Sequence, residues 1–199
     1  EDLMNFLQIE AGYLGAITSF YYYGYSFMQI PAGIFLDYLG PRRPLTWACL
    51  LCCLGCLLFA TSNTVVMLSL GRFLTGVGSA FGFLTCLKIA SLWLPPQKLG
   101  FFMSMTIMLG TVGAISGGTP LAMLVNLIGW QHSTFILAAL SSILGILSWL
   151  IVKDKNYDIP EISLGAVIFS IVDIFKNPQT WLYGTYGFMM YVTLSGFAD

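Results

Sequence analysis

Charge is what this sequence has least of: Asp, Glu, Lys and Arg make up only 9% of its 199 residues, whereas 57% are hydrophobic. A soluble domain carries about a quarter charged residues, so a soluble fold could not cover its surface with so few. The shortage predicts an integral membrane protein with the lipid bilayer as its surroundings. With a net charge of −1, the chain also lacks the basic face that nucleic-acid binding requires.

Groups that carry out catalysis or bind metals are equally scarce. The single histidine, His132, lies in a predicted loop, and the sequence contains no nucleophile–base pair, phosphate loop or metal cluster. Four of the five cysteines lie in residues 48–56, a stretch that is otherwise apolar, which favours small packing residues over a metal site. We therefore expect no enzymatic activity, no cofactor and no metal.

Long apolar segments, by contrast, are abundant. A helix needs about 20 apolar residues to cross the hydrocarbon core. Five complete spans and a sixth that is cut short are predicted at residues 11–36, 44–61, 65–94, 100–124, 134–152 and 179–199. The sequence thus predicts an all-α, polytopic membrane helix bundle. Its start at Glu1 and its end within an apolar run predict a fragment of a longer chain.

The connections that contain basic residues alternate with connections that contain none. These basic residues follow the first, third and fifth spans, at Arg42, Arg43, Lys98, Lys153, Lys155 and Lys176. The other connections, residues 1–10, 62–64 and 125–133, contain neither Lys nor Arg. Since basic loops remain in the cytoplasm, the loop of residues 37–43 is predicted to be cytoplasmic.

One helical face of the first span is polar. This face carries Gly15, Thr18, Tyr22, Tyr25, Gln29 and Gly33. Hydroxyls and an amide aligned on one face are better placed against water or polar partners than against lipid. We expect Tyr22, Tyr25 and Gln29 to line a solvated cavity, with hydrogen bonds to neighbouring helices as the alternative.

The third span contains two cations, Arg72 and Lys88. A cation near the bilayer centre costs roughly 2.5–3.5 kcal/mol on insertion scales, so each should be paired or shielded. The two lie ~160° apart around an ideal helix, so they cannot face one cavity unless Gly76 and Gly78 allow a bend. Both are candidates for coupling or for contacting the charge of a substrate, and for Arg72 the alternative is a purely structural pairing. For Lys88 the alternative is snorkelling to the cytoplasmic interface.

Small residues follow one face of the fourth span, where Gly110, Gly113 and Gly117 recur at helical spacing. Such a stripe favours close helix–helix packing in lipid, and chance clustering of membrane glycines is the alternative. Residues 163–177 are apolar but too short to span, which predicts an interfacial helix in the long connection.

One loop carries a recognisable pattern, GIFLDYLGPRR, at residues 33–43. The pattern lies between two apolar helices and resembles the signature of the major facilitator superfamily. Its motif positions are Gly33, Asp37, Gly40, Arg42 and Arg43.

Further segments strengthen this resemblance. Arg72 followed by Gly76 and Gly78 resembles the fourth helix of the family. Residues 91–96, SLWLPP, resemble the aromatic–proline end of the same helix, and residues 129–135, GWQHSTF, resemble the outer loop before the sixth. The resemblance covers essentially the whole chain.

The resemblance implies a major facilitator fold. In the family this signature joins helices 2 and 3, so residues 1–152 would hold helices 2 to 6 of an N-terminal bundle without its first helix. Residues 153–178 would form the cytoplasmic linker, and residues 179–199 the truncated first helix of the C-terminal bundle. The missing helices of the same polypeptide would be partners of this chain.

The implied function is secondary-active transport of a small polar solute, anionic or zwitterionic, by alternating access. The motif would then act in gating, with Asp37 held by Arg42, Arg43 and the opposite half. A co-transported proton and the plasma membrane of a bacterium are further expectations of this kind. The alternatives are a non-transporting receptor or scaffold of the same fold, and a drug/proton antiporter. The order of glycines and proline in residues 110–120 disfavours the antiporter.

Overall fold

Helices make up the regular structure of this protein wherever it is described. The structure is a computed structural model that describes residues 11–154, 173 and 175–196. Its helices are α1 (Ala11–Leu39), α2 (Arg42–Ala60), α3 (Val65–Trp93), α4 (Pro96–Gly117), α5 (Thr119–Ile128), α6 (Trp130–Ile151) and α7 (Pro178–Gly196). These residues contain no strand, which confirms the predicted all-α fold class.

The chain divides into two compact units, Glu1–Tyr157 and Asp158–Asp199. Helices α1 to α6 belong to the first unit and α7 to the second. The interfacial helix predicted at residues 163–177 falls largely outside the described residues, of which only 173 and 175–177 lie in this stretch. The predicted division into residues 1–152, 153–178 and 179–199 stays a prediction.

Four stretches are long and apolar enough to cross a membrane: Arg42–Ala60, Val65–Trp93, Pro96–Ile128 and Trp130–Ile151. They correspond to the second to fifth predicted spans. Helices α1 and α7 are not among the four. Both are rich in tyrosine, glycine and hydroxyl residues, which dilute their apolar character.

The fourth predicted span is two helices rather than one continuous helix. Gly118 has φ −85° and ψ −112°, which is not helical, and its N–H donates to the carbonyl oxygen of Ile115. Pro120 lies in the first turn of α5 and has no N–H to continue the hydrogen-bond ladder of α4. The span predicted at residues 100–124 therefore lies within the apolar stretch Pro96–Ile128, in which the helix is interrupted at Gly118.

Helix α3 packs against both α1 and α2, and α2 also packs against α6. The buried core where the first three helices meet is small and consists of Ala32, Leu36, Ala48 and Phe81. Many large apolar side chains lie on the outside instead. This arrangement suits lipid, in which apolar surface need not be buried and close packing holds helices together.

Glycines allow α3 to approach its neighbours closely. A β-carbon on Gly76 would overlap the carbonyl oxygen of Tyr21 in α1. One on Gly78 would lie 2.5 Å from Cys52 Sγ and 2.6 Å from the carbonyl oxygen of Ala48 in α2. Only glycine fits at these two contacts, because any larger residue would push two helix backbones apart.

The glycine stripe of the fourth span has a different environment. A β-carbon on Gly110, Gly113 or Gly117 would meet nothing within 4 Å. Helix α4 also has no buried residue. Within the described part of the chain, the helix packing predicted for this stripe is therefore not seen, because no neighbouring helix lies against that face.

Candidate functional site

The connection between α1 and α2 is a tight turn. Helix α1 ends at Leu39 and α2 begins at Arg42, so Gly40 and Pro41 alone reverse the chain. Gly40 has φ +73°, in the left-handed region that glycine adopts without strain. Pro41 is fully buried, so the turn is packed against the bundle rather than projecting from it.

Asp37 forms an ion pair with Lys88. The Lys88 Nζ atom donates to Asp37 Oδ1 at 2.7 Å, which joins the cytoplasmic ends of α1 and α3 as the predicted orientation defines them. The predicted partners of Asp37 within this chain were Arg42 and Arg43, and the structure supplies Lys88 instead. The pair is partly solvated, since the side chains of Lys88 and Asp37 are 22% and 55% exposed.

The ion pair lies in an open cavity of about 400 Å³ between α1, α3 and α4. Apolar side chains line most of it, namely Leu36, Leu84, Leu87 and Met103, together with Gly33 and Ser91. The positive charge of Lys88 is therefore compensated by the carboxylate of Asp37 within this cavity.

Arg42 is turned towards α6. Its Nε donates to the carbonyl oxygen of Trp149 at 2.8 Å, and its guanidinium carbon lies 4.2 Å from the centre of the Trp149 ring. Its backbone N–H donates to Asp154 Oδ1 at 3.1 Å. Arg43 is exposed. Trp149 and Asp154 are not among the residues predicted from the sequence. The one available signal is the position of Asp154, an acidic residue between two lysines.

Polar contacts continue along the seam between α2 and α6. The hydroxyls of Thr46 and Ser148 are 3.0 Å apart, and Cys53 Sγ lies 3.1 Å from Ser142 Oγ. Gly145 allows close approach, because a β-carbon there would be 3.2 Å from that of Cys49. Cys49 and Cys53 thus serve in this seam as small packing residues.

Arg72 lines a second cavity, of about 260 Å³. Its guanidinium carbon lies 4.8 Å from the centre of the Phe59 ring. The cavity lies between α2, α3, α5 and α6, and its other lining residues include Thr75, Trp130, Ser133, Thr134 and Leu137. It combines one cation, several hydroxyls and an apolar wall, which is the composition of a site for a small polar solute.

The polar residues of α1 do not line the Arg72 cavity. Tyr22 is 57% exposed, whereas Tyr25 and Gln29 are half-buried. The rings of Tyr21 and Tyr25 stack with their centres 6.1 Å apart. That Tyr22, Tyr25 and Gln29 line a solvated cavity stays a prediction.

Comparison with known proteins gives a family match over nearly the whole chain. A family model described as Major Facilitator Superfamily matches residues 1–198. The chain is 31% identical over 156 residues to the probable anion transporter 7 of Oryza sativa subsp. japonica, covering 77% of this chain and 35% of that protein. It is 27% identical over 128 residues to the probable sulfoacetate transporter SauU of Cupriavidus necator, covering 64% of this chain and 30% of that protein.

A third relative has a name that points to a cationic solute. The chain is 33% identical over 152 residues to the vacuolar basic amino acid transporter 2 of Saccharomyces cerevisiae, covering 75% of this chain and 30% of that protein. The chain therefore spans about a third of the length of the curated relatives it matches.

Proposed function

Since this chain belongs to the major facilitator superfamily, we propose that it is the part of a secondary-active transporter that binds a small anionic solute and moves it across a membrane by alternating access. The observation that carries the proposal is Arg72, a cation in an apolar helix that lines a cavity. Coupling to a proton and a place in the plasma membrane of a bacterium stay predictions of the sequence.

The chemistry of the Arg72 cavity favours an anion. The hydroxyls of Thr75, Ser133 and Thr134 each donate to a carbonyl oxygen of their own helix. The guanidinium of Arg72 is therefore the group of this lining that can offer a solute a positive charge together with N–H donors. A guanidinium binds carboxylate, sulfonate or phosphate groups through two parallel hydrogen bonds, which makes it well suited to this role.

The size of the cavity and the relatives support the same proposal. A volume of about 260 Å³ lies just below the range of about 300–1,000 Å³ for drug-sized ligands, so it suits a small solute. Two of the three relatives are named for anions or sulfoacetate. The third is named for basic amino acids, so the sign of the solute charge must be tested directly.

We expect Arg72→Gln to reduce uptake of an anionic solute about 10- to 100-fold, because hydrogen bonds to charged groups contribute roughly 1.5–3 kcal/mol. The full-length protein would be reconstituted in liposomes, and initial uptake of radiolabelled sulfoacetate and L-lysine would be measured in parallel. Lys98→Gln is the matched control, since it removes the same charge from an exposed residue outside the cavity. Uptake of lysine rather than sulfoacetate, or unchanged uptake in Arg72→Gln, would contradict the proposal.

The loop of residues 37–43, here called the motif loop, would act in gating. Its charged residues, Asp37, Arg42 and Arg43, lie at one end of the helices, and Gly40 allows the close approach of Asp154 there. A β-carbon on Gly33 would meet nothing within 4 Å, so close packing at Gly33 is not seen among the described residues. The Asp37–Lys88 pair is partly solvated and is therefore of modest strength. Modest strength suits a gating contact, because such a contact must break in each transport cycle.

The predicted orientation has a direct test. In a background without the five native cysteines, a cysteine replacing Gln97 should resist an impermeant thiol reagent added outside the cell, whereas one replacing Asn63 should react. Both positions are exposed, so burial does not limit either reaction, and they lie at opposite ends of α3. Labelling at Gln97 alone would show that the loop of residues 37–43 faces outward.

A further inference from the structure

We infer that Asp154 is a positioning residue of the motif loop, residues 37–43. Its carboxylate holds the Gly40–Pro41 turn and the start of α2 in place. The role in transport rests on the gating function proposed above, whereas the contact itself does not. Asp154 is distant in sequence from the motif, 112 positions after Arg42, and belongs to the same compact unit.

The first observation is the hydrogen bond at the start of α2. The first N–H groups of a helix have no acceptor within the helix. Pro41, the residue before α2, provides no side-chain cap. Asp154 provides an acceptor from the other end of the unit, because its Oδ1 accepts the Arg42 N–H at 3.1 Å. A carboxylate is favoured there, since the helix N-terminus carries partial positive charge.

The second observation is the space beside Gly40. A β-carbon on Gly40 would lie 2.7 Å from Asp154 Oδ1 and 3.0 Å from its Cγ. The carboxylate therefore occupies the volume that a side chain at position 40 would need. Gly40 is required twice, by its positive φ and by the approach of Asp154.

The third observation is that α6 and the residues just after it contact Arg42 at both its side chain and its backbone. Asp154, just beyond α6, binds the N–H, and Trp149 in α6 binds the guanidinium through its carbonyl oxygen and its ring. Helix α6 ends at Ile151, so Asp154 lies where the chain leaves the first unit. The contact thus links the segment that follows α6 to the motif loop.

The test compares Asp154→Ala, Asp154→Asn and the neighbouring control Lys153→Ala in the full-length protein. Amide hydrogen exchange of Gly40, Arg42, Arg43 and Leu45 measures the contact without any substrate; Pro41 and Pro44, which lie between them, have no backbone N–H. In Asp154→Ala these amides should exchange roughly five- to tenfold faster, as expected on losing a helix cap. Asp154→Asn keeps an acceptor oxygen and should stay near the wild-type rate, as should Lys153→Ala, a substitution of an exposed residue.

Sulfoacetate uptake is measured on the same preparations. We expect Asp154→Ala to lower the maximal rate severalfold with little change in KM, and Asp154→Asn to restore most of it. Unchanged exchange in Asp154→Ala would overturn the contact. Faster exchange with normal uptake would overturn the role in transport and leave only a helix cap. No uptake by the wild-type protein would count against the proposed function alone, since the exchange result stands by itself.

A double-mutant comparison keeps the inference testable if one variant folds poorly. Gly40→Ala should lower the melting temperature less in the Asp154→Ala background than in the wild type, because the clash with the carboxylate is gone and only the φ strain remains. In the Asp154→Asn background, where the side chain has the same shape, the full loss should persist. Equal losses in all three backgrounds would show that Asp154 does not occupy the space beside Gly40.

Discussion

Replacing Gly76 by alanine is expected to destabilise the helix bundle by about 1–3 kcal/mol or more, because the added β-carbon would overlap the carbonyl oxygen of Tyr21. A backbone atom cannot rotate away as a side chain can, so α1 and α3 would have to separate. In lipid no hydrophobic force presses helices together, and lost packing contacts are therefore not replaced. The melting temperature and the yield of monodisperse full-length protein measure the effect.

Gly82 offers a matched control on the same helix. A β-carbon there would meet nothing within 4 Å. Within a helix, alanine is favoured over glycine by roughly 0.5–1 kcal/mol, so Gly82→Ala should be as stable as the wild type or slightly more stable. If both variants melt at the same temperature, α1 and α3 do not approach as closely as the structure shows.

The second large effect is expected at the ion pair: Asp37→Asn should lower solute uptake about tenfold in a protein that stays abundant and heat-stable. Asn has nearly the same shape, and a pair as exposed as this one contributes on the order of 1 kcal/mol or less to stability. A contact made in only one transport state, however, shifts the equilibrium between states by its full differential free energy. A shift of ~1.4 kcal/mol is sufficient for a tenfold effect.

Exchanging the two charges tests whether Lys88 is the partner that matters. Asp37→Lys and Lys88→Asp should each impair uptake, and the double variant should recover part of it, because the ion pair is re-formed in reverse. Initial uptake of sulfoacetate is compared with surface abundance and melting temperature, and Asp173→Asn, an exposed site in the second unit, serves as the control. No recovery in the double variant would mean that Asp37 acts through another group. Low uptake matched by lost protein would mean that the pair serves folding only.

The motif loop shows how much of a site can be predicted from sequence. Asp37 needs a cationic partner because it lies at the C-terminal end of α1, where the helix dipole disfavours an anion. The sequence predicts that Asp37 needs such a partner, and it names Arg42 and Arg43, the nearest cations along the chain, as the candidates within this chain. The structure places Lys88 there, 51 positions away, because α1 and α3 pack side by side.

Arg72 is likewise a functional candidate from the sequence alone, but the sequence does not show which helices surround it. A cation is energetically costly in lipid, so an arginine within any apolar helix is a functional candidate. The polar face of α1 predicts that Tyr22 and Tyr25 also line a cavity, and this stays a prediction. In the structure the Arg72 cavity is formed by α2, α3, α5 and α6. The hydroxyls of Ser133 and Thr134 could not be foreseen there, since hydroxyl residues are frequent in every span and mark no particular cavity.

By itself the sequence determined that this chain forms apolar helices with short connections and that Asp37, Lys88 and Arg72 are its costly charges. It could do so because lipid forces each span to satisfy its own backbone hydrogen bonds, which makes a span a local property of about 20 residues. Only the tertiary structure decided which faces meet: Gly76 lies against α1, whereas the stripe around Gly113 lies against nothing described. Helical periodicity identifies a face but not its neighbour, because that choice depends on the shapes of two helices at once.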